Sequence, residues 1–475
     1  MRQMSQCAIM ALMALPLLFT GACSERPHSS APPRLVGAEP ISATSVTGYR
    51  DVLSAWMTEG YRNRTVIHIG PKDGLAFVPD KKLSAIKSFL TDGSSGADTG
   101  GRITGDNYLF VASRLGLVNR IFWITPYNHF SYINAEERVL SFVRNQASIF
   151  RQQDIDSLRF RNGCVSGNLA GVETSLCSPS TIPQLAEPAL VLLDTGFFPV
   201  YAAERGISTL HAMKELFDLM ALQKIRTPAF FVVSSPEAAV MHGYLSGEAL
   251  AILKEPSTTK QESPPPLWTA RDQADNMLSG GGIREAAQYL QENIGAHADD
   301  PYLILMQATA RAMLGKREPA LQAMAVLCAE KPSFCSGIAD AGVLLRERGD
   351  LAGAEAFFLK ALSLRPDLDS ARLEYALTLY ASRRYAEAKS EASALSQKSS
   401  FAVAGGFLLG DCALAEGRET EAIDWYEKAL ASYGNAGGYR LSRREQESLA
   451  RLKSLYTKRN HQEGLKSLKK TPLGN

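Results

Sequence analysis

The chain is poor in cysteine and histidine, has almost no net charge, and lacks a long apolar segment. Seven cysteines and seven histidines are spread over 475 residues. No two cysteines have Cys-x-x-Cys spacing, which argues against a zinc ribbon or a thioredoxin-type dithiol. A net charge of +2 gives no electrostatic case for nucleic acid. Past the first twenty residues no apolar run approaches the ~20 residues that cross a bilayer. There is no Gly-x-Ser-x-Gly elbow, no phosphate loop, no His-Glu-x-x-His, and no Gly-x-Gly-x-x-Gly after a strand. What is present is ordinary for globular folding, with 45% hydrophobic and 21% charged residues and length for two or three domains.

The most regular stretch is Leu267–Gly434. Gly281, Gly315, Gly349 and Gly417 recur at a step of 34, with Arg383 in the one missing slot. Ala286, Ala320, Ala354, Ala388 and Ala422 keep the step without a gap, and Leu290, Met324, Phe358, Ala392 and Tyr426 follow four residues behind. Each period reads as two short helices joined at the Gly. The small Ala lets them lie close and the bulky residue fills the seam. Pro332 and Pro366 end second helices. This register resembles the tetratricopeptide repeat, with five units starting near Leu267, Pro301, Cys335, Asp369 and Val403, over residues 267–436. Residues 437–475 supply a charged capping helix, Leu441–Tyr456, and a tail. In that family the first helix of each repeat lines a concave groove. The resemblance therefore implies a lining that includes Trp268, Arg271, Tyr302, Leu305, Arg346, Leu373, Tyr380 and Phe407, suited to a protein or peptide partner.

The first residues read as an export signal. Arg2 precedes the apolar run Ala8–Thr20, too short to span a membrane and of signal-peptide length. The run ends in Thr20-Gly21-Ala22-Cys23, which resembles a bacterial lipobox, although Thr20 stands where Leu is common. The resemblance implies cleavage after residue 22, a lipid (palmitate-type) anchor on Cys23, and, with Ser24 following, the outer membrane facing the periplasm. Lipid would be the only membrane contact. Residues 23–39 form a Ser/Pro/Arg-rich tether. Export is compatible with disulfides, and Cys164/Cys177 and Cys328/Cys335 are the candidate pairs. Closing the first loop would contribute about 3 kcal/mol. Cys328 and Cys412 read alternatively as small buried residues.

Residues 40–255 alternate apolar strands with helices, the pattern of an α/β domain with a mostly parallel sheet covered on both faces. The strands are Thr65–Ile69, Arg120–Thr125, Pro188–Leu193 and Ala229–Ser234. Leu158–Cys177 reads as an inserted hairpin with turns at Asn162-Gly163 and Gly167-Asn168. His68, Asp73 and Asp194 fall at strand ends, where such sheets place chemistry. The order resembles the arginase/deacetylase-like (ureohydrolase-like) α/β metalloenzymes, with His68–Gly74 on their first metal cluster and Asp194-Thr195-Gly196 on the second. Gly70, Lys72, Gly74 and Gly196 stand where that family has ligands, and only Asp194 falls on a ligand position. Each candidate also has a plainer reading: His68 as a core histidine, Asp73 as a turn residue, Asp194 as a loop or cap acceptor.

Residues 256–266 are a Pro-rich linker, expected to be extended and to hold the halves apart. The sequence thus predicts an α/β domain followed by an all-α solenoid. The expected function is a lipid-anchored, non-catalytic adaptor in a cell-envelope assembly such as a pilus, secretion or polysaccharide-export machine. It would use no cofactor, bind a protein partner and leave nucleic acid alone, with the α/β half a pseudoenzyme. The alternative is a metal-dependent hydrolase of amide-type C–N bonds built on His68, Asp73 and Asp194.

Overall fold

The computed structural model describes residues 33–92, 103–127, 134–145, 150–234, 239–257, 264–398, 400–436 and 441–470. The signal segment and Cys23 lie outside the described residues, as does most of the linker. In the first half the chain runs β1 (Arg34–Leu35), β2 (Thr44–Val46), α1 (Tyr49–Thr58), β3 (Arg64–Ile69), α2 (Asp80–Asp92), α3 (Tyr108–Arg114), β4 (Val118–Ile124), α4 (Ala135–Asn145) and α5 (Gln152–Asp156). It continues through β5 (Arg159–Arg161), β6 (Cys164–Leu169), β7 (Val172–Cys177), β8 (Leu190–Asp194), α6 (Phe197–Arg205), α7 (Thr209–Leu222), β9 (Arg226–Thr227), β10 (Phe230–Val233) and α8 (Tyr244–Lys254).

One eight-stranded sheet has the order β2-β10-β8-β3-β4-β7-β6-β5. Pairing is parallel from β2 to β7 and antiparallel over the last three strands. The β-branched runs face both ways, because a parallel sheet buries both surfaces. Ile67, Ile69, Val191 and Leu193 pack on the side of α6, α7 and α8. Val66, Leu190 and Leu192 pack on the side of α1 and α3. The segment read as an inserted hairpin is a meander that extends the sheet. Its first turn is at Asn162-Gly163, both with positive φ (52° and 76°). Its second turn is at Ala170-Gly171 (51° and 85°), not at Gly167-Asn168. Gly167 and Asn168 instead pair with Thr174 and Glu173 in the ladder, and a residue pairing in a ladder cannot also reverse the chain.

In the second half ten helices follow as five antiparallel pairs: α9 (Pro266–Ser279) with α10 (Ile283–Asn293), α11 (Pro301–Met313) with α12 (Arg317–Glu330), α13 (Ser336–Glu347) with α14 (Leu351–Leu364), α15 (Asp369–Ala381) with α16 (Tyr385–Ser396), and α17 (Ala402–Ala415) with α18 (Glu419–Ala436). Then come α19 (Arg443–Lys458) and α20 (Gln462–Lys470). The turn inside each pair needs one residue with positive φ. Gly281, Gly315, Gly349 and Gly417 provide it at 81°, 83°, 82° and 78°, and Arg383 is held there at 61°. The five periodic Ala residues and the bulky series Leu290, Met324, Phe358, Ala392 and Tyr426 are all buried at 0–1% exposure.

The two halves are not held apart. Pro266 is the first residue of α9, a position that proline favours because its missing N–H would be unsatisfied there anyway. The helix therefore starts at once and brings the first repeat against α7. A single buried cluster runs from Ile67 and Val191 in the sheet, through Met213 and Leu253, to Leu305, Phe358 and Leu379 in the repeats. The prolines restrict only the backbone they occupy, while this shared apolar surface decides where the halves settle.

Candidate functional site: the concave groove and the strand ends

The first helices of the repeats should line the groove, yet its N-terminal part is filled by the chain itself. After β10 a short 3-10 helix, Val240–His242, and α8 run against α9, α11 and α13. The Val240 amide donates to Asp340 Oδ2 at 2.8 Å, and His242 Nε2 donates to Asp275 Oδ1 at 2.9 Å. The Tyr244 hydroxyl donates to Asp275 Oδ2 at 2.9 Å. Arg271 reaches Glu248 Oε1 at 3.3 Å and Asp300 Oδ2 at 2.6 Å, and its guanidinium lies 5.6 Å from the Tyr244 ring and 5.2 Å from that of Tyr302. Asp272, in α9, accepts from the Leu210 amide (2.8 Å) and the Thr209 hydroxyl (3.0 Å). A carboxylate of the first repeat thereby caps the N-terminus of α7, where the helix dipole favours negative charge.

Several expected lining residues therefore need correction. Arg271 and Tyr302 are engaged by the chain's own α8 region, and Trp268 packs half-buried against the shared core. Leu305 is 1% exposed; a Cβ at Gly337 would meet it at 2.9 Å, so it is inter-repeat core. Phe407 is fully buried, 6.0 Å from the Tyr426 ring, in a cluster that includes Leu452 and Tyr456 of α19. Repeat position assigns a residue to the groove side of its helix, but what covers that side is decided by whichever element packs there.

Between these fillings Val343, Arg346, Leu373, Leu377 and Tyr380 are half-buried on α13 and α15. Arg346 pairs with Glu374 at 2.6 Å, and Arg346 Nε is buried with no hydrogen-bond partner among the described residues. Burial raises Glu374 above the usual carboxylate range, with Arg346 opposing. The far end is closed by α19. Buried Asp411 accepts from the Tyr426 hydroxyl (2.7 Å), Arg444 (2.6 Å), Ser448 (2.8 Å) and Arg451 (2.9 Å), and Arg444 lies 5.6 Å from the ring of Tyr380. Sequence reasoning missed Asp411, although a lone carboxylate in the apolar stretch Ala402–Ala415 was a usable signal.

Both candidate cysteine pairs are bonded, with Cα–Cα distances of 4.5 Å. In the meander, Val165 faces Leu176, which makes Cys164 and Cys177 the next pair along the ladder. Cys412 is free and buried, and burial pushes its thiol up to about 12.

Within the sheet the strand order reverses between β3 and β8, the switch point at which open parallel sheets form ligand crevices. His68 and Asp194 meet there: a Cβ on Gly70 would lie 3.0 Å from His68 Nε2 and 3.3 Å from the Asp194 Cβ. His68 Nε2 donates to the Lys72 carbonyl at 2.6 Å, which fixes the tautomer and leaves Nδ1 as the acceptor. Burial lowers His68 to about 4, with the Lys72 carbonyl and Asp73 opposing, so the ring is neutral at pH 7. Asp73 Oδ1 accepts from the Leu75 amide at 2.7 Å, a turn contact. Asp194 accepts from the Gly196 amide at 2.8 Å and from the Tyr49 hydroxyl. The Lys72 ammonium sits 3.0 Å from Asp106. Among the described residues no group of three His, Cys, Asp or Glu is placed to hold a metal ion. The alternative reading, a displaced metal on His68, Asp73 and Asp194, finds His68 Nε2 and Asp73 Oδ1 already bonded to the backbone of their own loop.

The fold class of the second half is that of a stacked helical-hairpin solenoid, and the tetratricopeptide repeat family matches the chain at residues 339–368 and 407–435. The matched stretches fall on the helical pairs α13 with α14 and α17 with α18, which are tetratricopeptide repeats. Solved structures similar to the chain include a crystal structure of MamA protein, at 14% identity over 37% of this chain and 97% of that one, with a TM-score of 0.28. Another is MamA from Desulfovibrio magneticus RS-1, at 15% identity over 36% and 96%, TM-score 0.28. A third is a thermophilic tetratricopeptide repeat protein of Thermus thermophilus, at 19% identity over 41% and 100%, TM-score 0.25. No curated protein matches the chain significantly.

Proposed function

We propose that this protein is a lipid-anchored adaptor whose repeats hold a polypeptide partner within a bacterial cell-envelope assembly, with a non-catalytic α/β half that derives from the arginase/deacetylase-like fold. The single observation behind this reading is the half-buried face of α13 and α15, between the parts covered by α8 and by α19. Val343, Leu373, Leu377 and Tyr380 offer apolar contact there, and Arg346 Nε is buried with no hydrogen-bond partner among the described residues. Mixed aromatic, aliphatic and Arg surface of this kind suits an extended segment or a helix. The α/β half supports the groove by filling its first part. A photo-crosslinking side chain at Leu373 of the full-length protein should trap a partner in the envelope, and one at Val326, exposed on α12, should not; equal trapping at both positions refutes the groove. Cys23→Ser should release the protein from the membrane fraction, and retention refutes the anchor.

A second reading gives the strand ends a small-ligand role without turnover. His68 Nδ1 and the Tyr108 hydroxyl are both buried and have no hydrogen-bond partner among the described residues, a cost that a bound polar molecule would remove. A ligand that raises the melting temperature progressively, with the logarithm of its concentration, and loses the effect in His68→Phe, supports this reading. Ligands that stabilise both proteins equally count against it.

A further inference from the structure

The seam between the α/β half and the repeats gathers more acid than base. Glu248 contributes one carboxylate from α8. Asp272 and Asp275 come from α9, Asp300 from the start of α11, and Asp340 from α13. Against these five stand Arg271 and His242. Arg271 is shared, its Nε and Nη2 on Asp300 and its Nη1 on Glu248, while Glu248 Oε2 is buried with no hydrogen-bond partner among the described residues. His242 lies between Asp275 and Asp340. Like charges confined in a poorly solvated seam cannot all ionise cheaply.

We propose that this seam is a proton-operated latch: Glu248, Asp340 and His242, crowded there among the other carboxylates, hold the α/β half in the groove most firmly at acid pH, and their loss of protons loosens it, uncovering the faces of α9 and α11 that α8 and Val240–His242 cover. The latch rests on the geometry of the seam and does not depend on whether a partner binds the groove.

Three groups supply the sign. Glu248 is pushed up to about 8, first by burial, then by Asp272 and Asp300, with Arg271 opposing. Tyr244 on its own helix and Tyr302 on α11 face the same cluster. Asp340 is pushed up to about 6 by burial, against the Val240 amide and His242. For His242 burial opposes the charged ring, yet Asp275 and Asp340 outweigh it and its net shift is upward. In each case the docked state binds the proton more tightly than the open state. The stabilisation is therefore complete below the free values and is lost as pH rises through the docked values, across the window that ends near 8.

The test is hydrogen exchange on the full-length protein from about pH 6 to about pH 9, corrected for the intrinsic pH dependence of exchange, since a docked proton shifted by one unit changes the opening equilibrium about tenfold. Protection of α8 and α9 should fall at least about tenfold over that range, while α16, remote from the seam, holds steady. Glu248→Gln keeps the shape and removes the titration, so most of the fall above about pH 7 should vanish. A flat wild-type profile, a parallel loss in α16, or a full-sized fall in Glu248→Gln overturns the latch.

Discussion

Arg383 offers the most direct test of how the repeats are built. It occupies the turn position that glycine holds in the other four units, at φ 61°. A left-handed backbone costs an L-residue about 1–2 kcal/mol, from the approach of Cβ to the following carbonyl. Arg383→Gly removes that strain. It also frees the unfolded chain, which costs about 0.5–1 kcal/mol. The balance favours the variant by ~0.5–1 kcal/mol. The side chain is exposed, so little packing is lost. The reverse change provides the control. An added Cβ at Gly349 meets nothing within 4 Å, so Gly349→Ala carries only the backbone strain and should cost about 1 kcal/mol. Arg383→Asn should fall between Arg and Gly, because Asn tolerates this region. Urea unfolding of the full-length protein, followed by helical circular dichroism, reads all three at constant slope. A destabilised Arg383→Gly variant would refute the claim that backbone strain governs this turn, and would give the Arg383 side chain a role of its own.

Other outcomes follow from the packing. Phe358→Ala, in the fully buried seam, should destabilise by about 3–5 kcal/mol in the same urea assay. Asp411→Ala leaves Arg444 and Arg451 without their shared acceptor and should cost about 3–5 kcal/mol, with α19 becoming the earliest protease-sensitive helix; an unchanged cleavage pattern contradicts this. Replacing Cys328 and Cys335 together by Ser opens a short loop and should cost about 2–3 kcal/mol, read as a lowered thermal midpoint. Cys412, buried and with its thiol pushed up to about 12, should resist alkylation at pH 8 until the protein is denatured.

The repeats were legible before any coordinates because their rules are local. A residue with positive φ every 34 positions, a small residue in each seam and a bulky one a turn later each concern neighbours within a single unit. The meander shows the limit of that reasoning. Asn162-Gly163 declared itself, but Ala170-Gly171 lost to Gly167-Asn168 on composition alone, and only the ladder register distinguishes them. At the strand ends, residue types and order singled out His68, Asp73 and Asp194, of which His68 and Asp194 both border Gly70. They could not say that His68 would turn its Nε2 to the Lys72 carbonyl.

The sequence by itself determined the helical pairs, the alternating strands and the positions where the backbone must turn, since these follow from short-range sterics and hydrophobic periodicity. Only the tertiary structure decided what covers the groove. Nothing near Arg271 or Phe407 in the chain announces α8 or α19, because a surface is open or closed according to the complementarity of segments distant in sequence. Burial of shared apolar area and pairing of otherwise stranded charges settle that question together, and neither can be counted until both partners are in place.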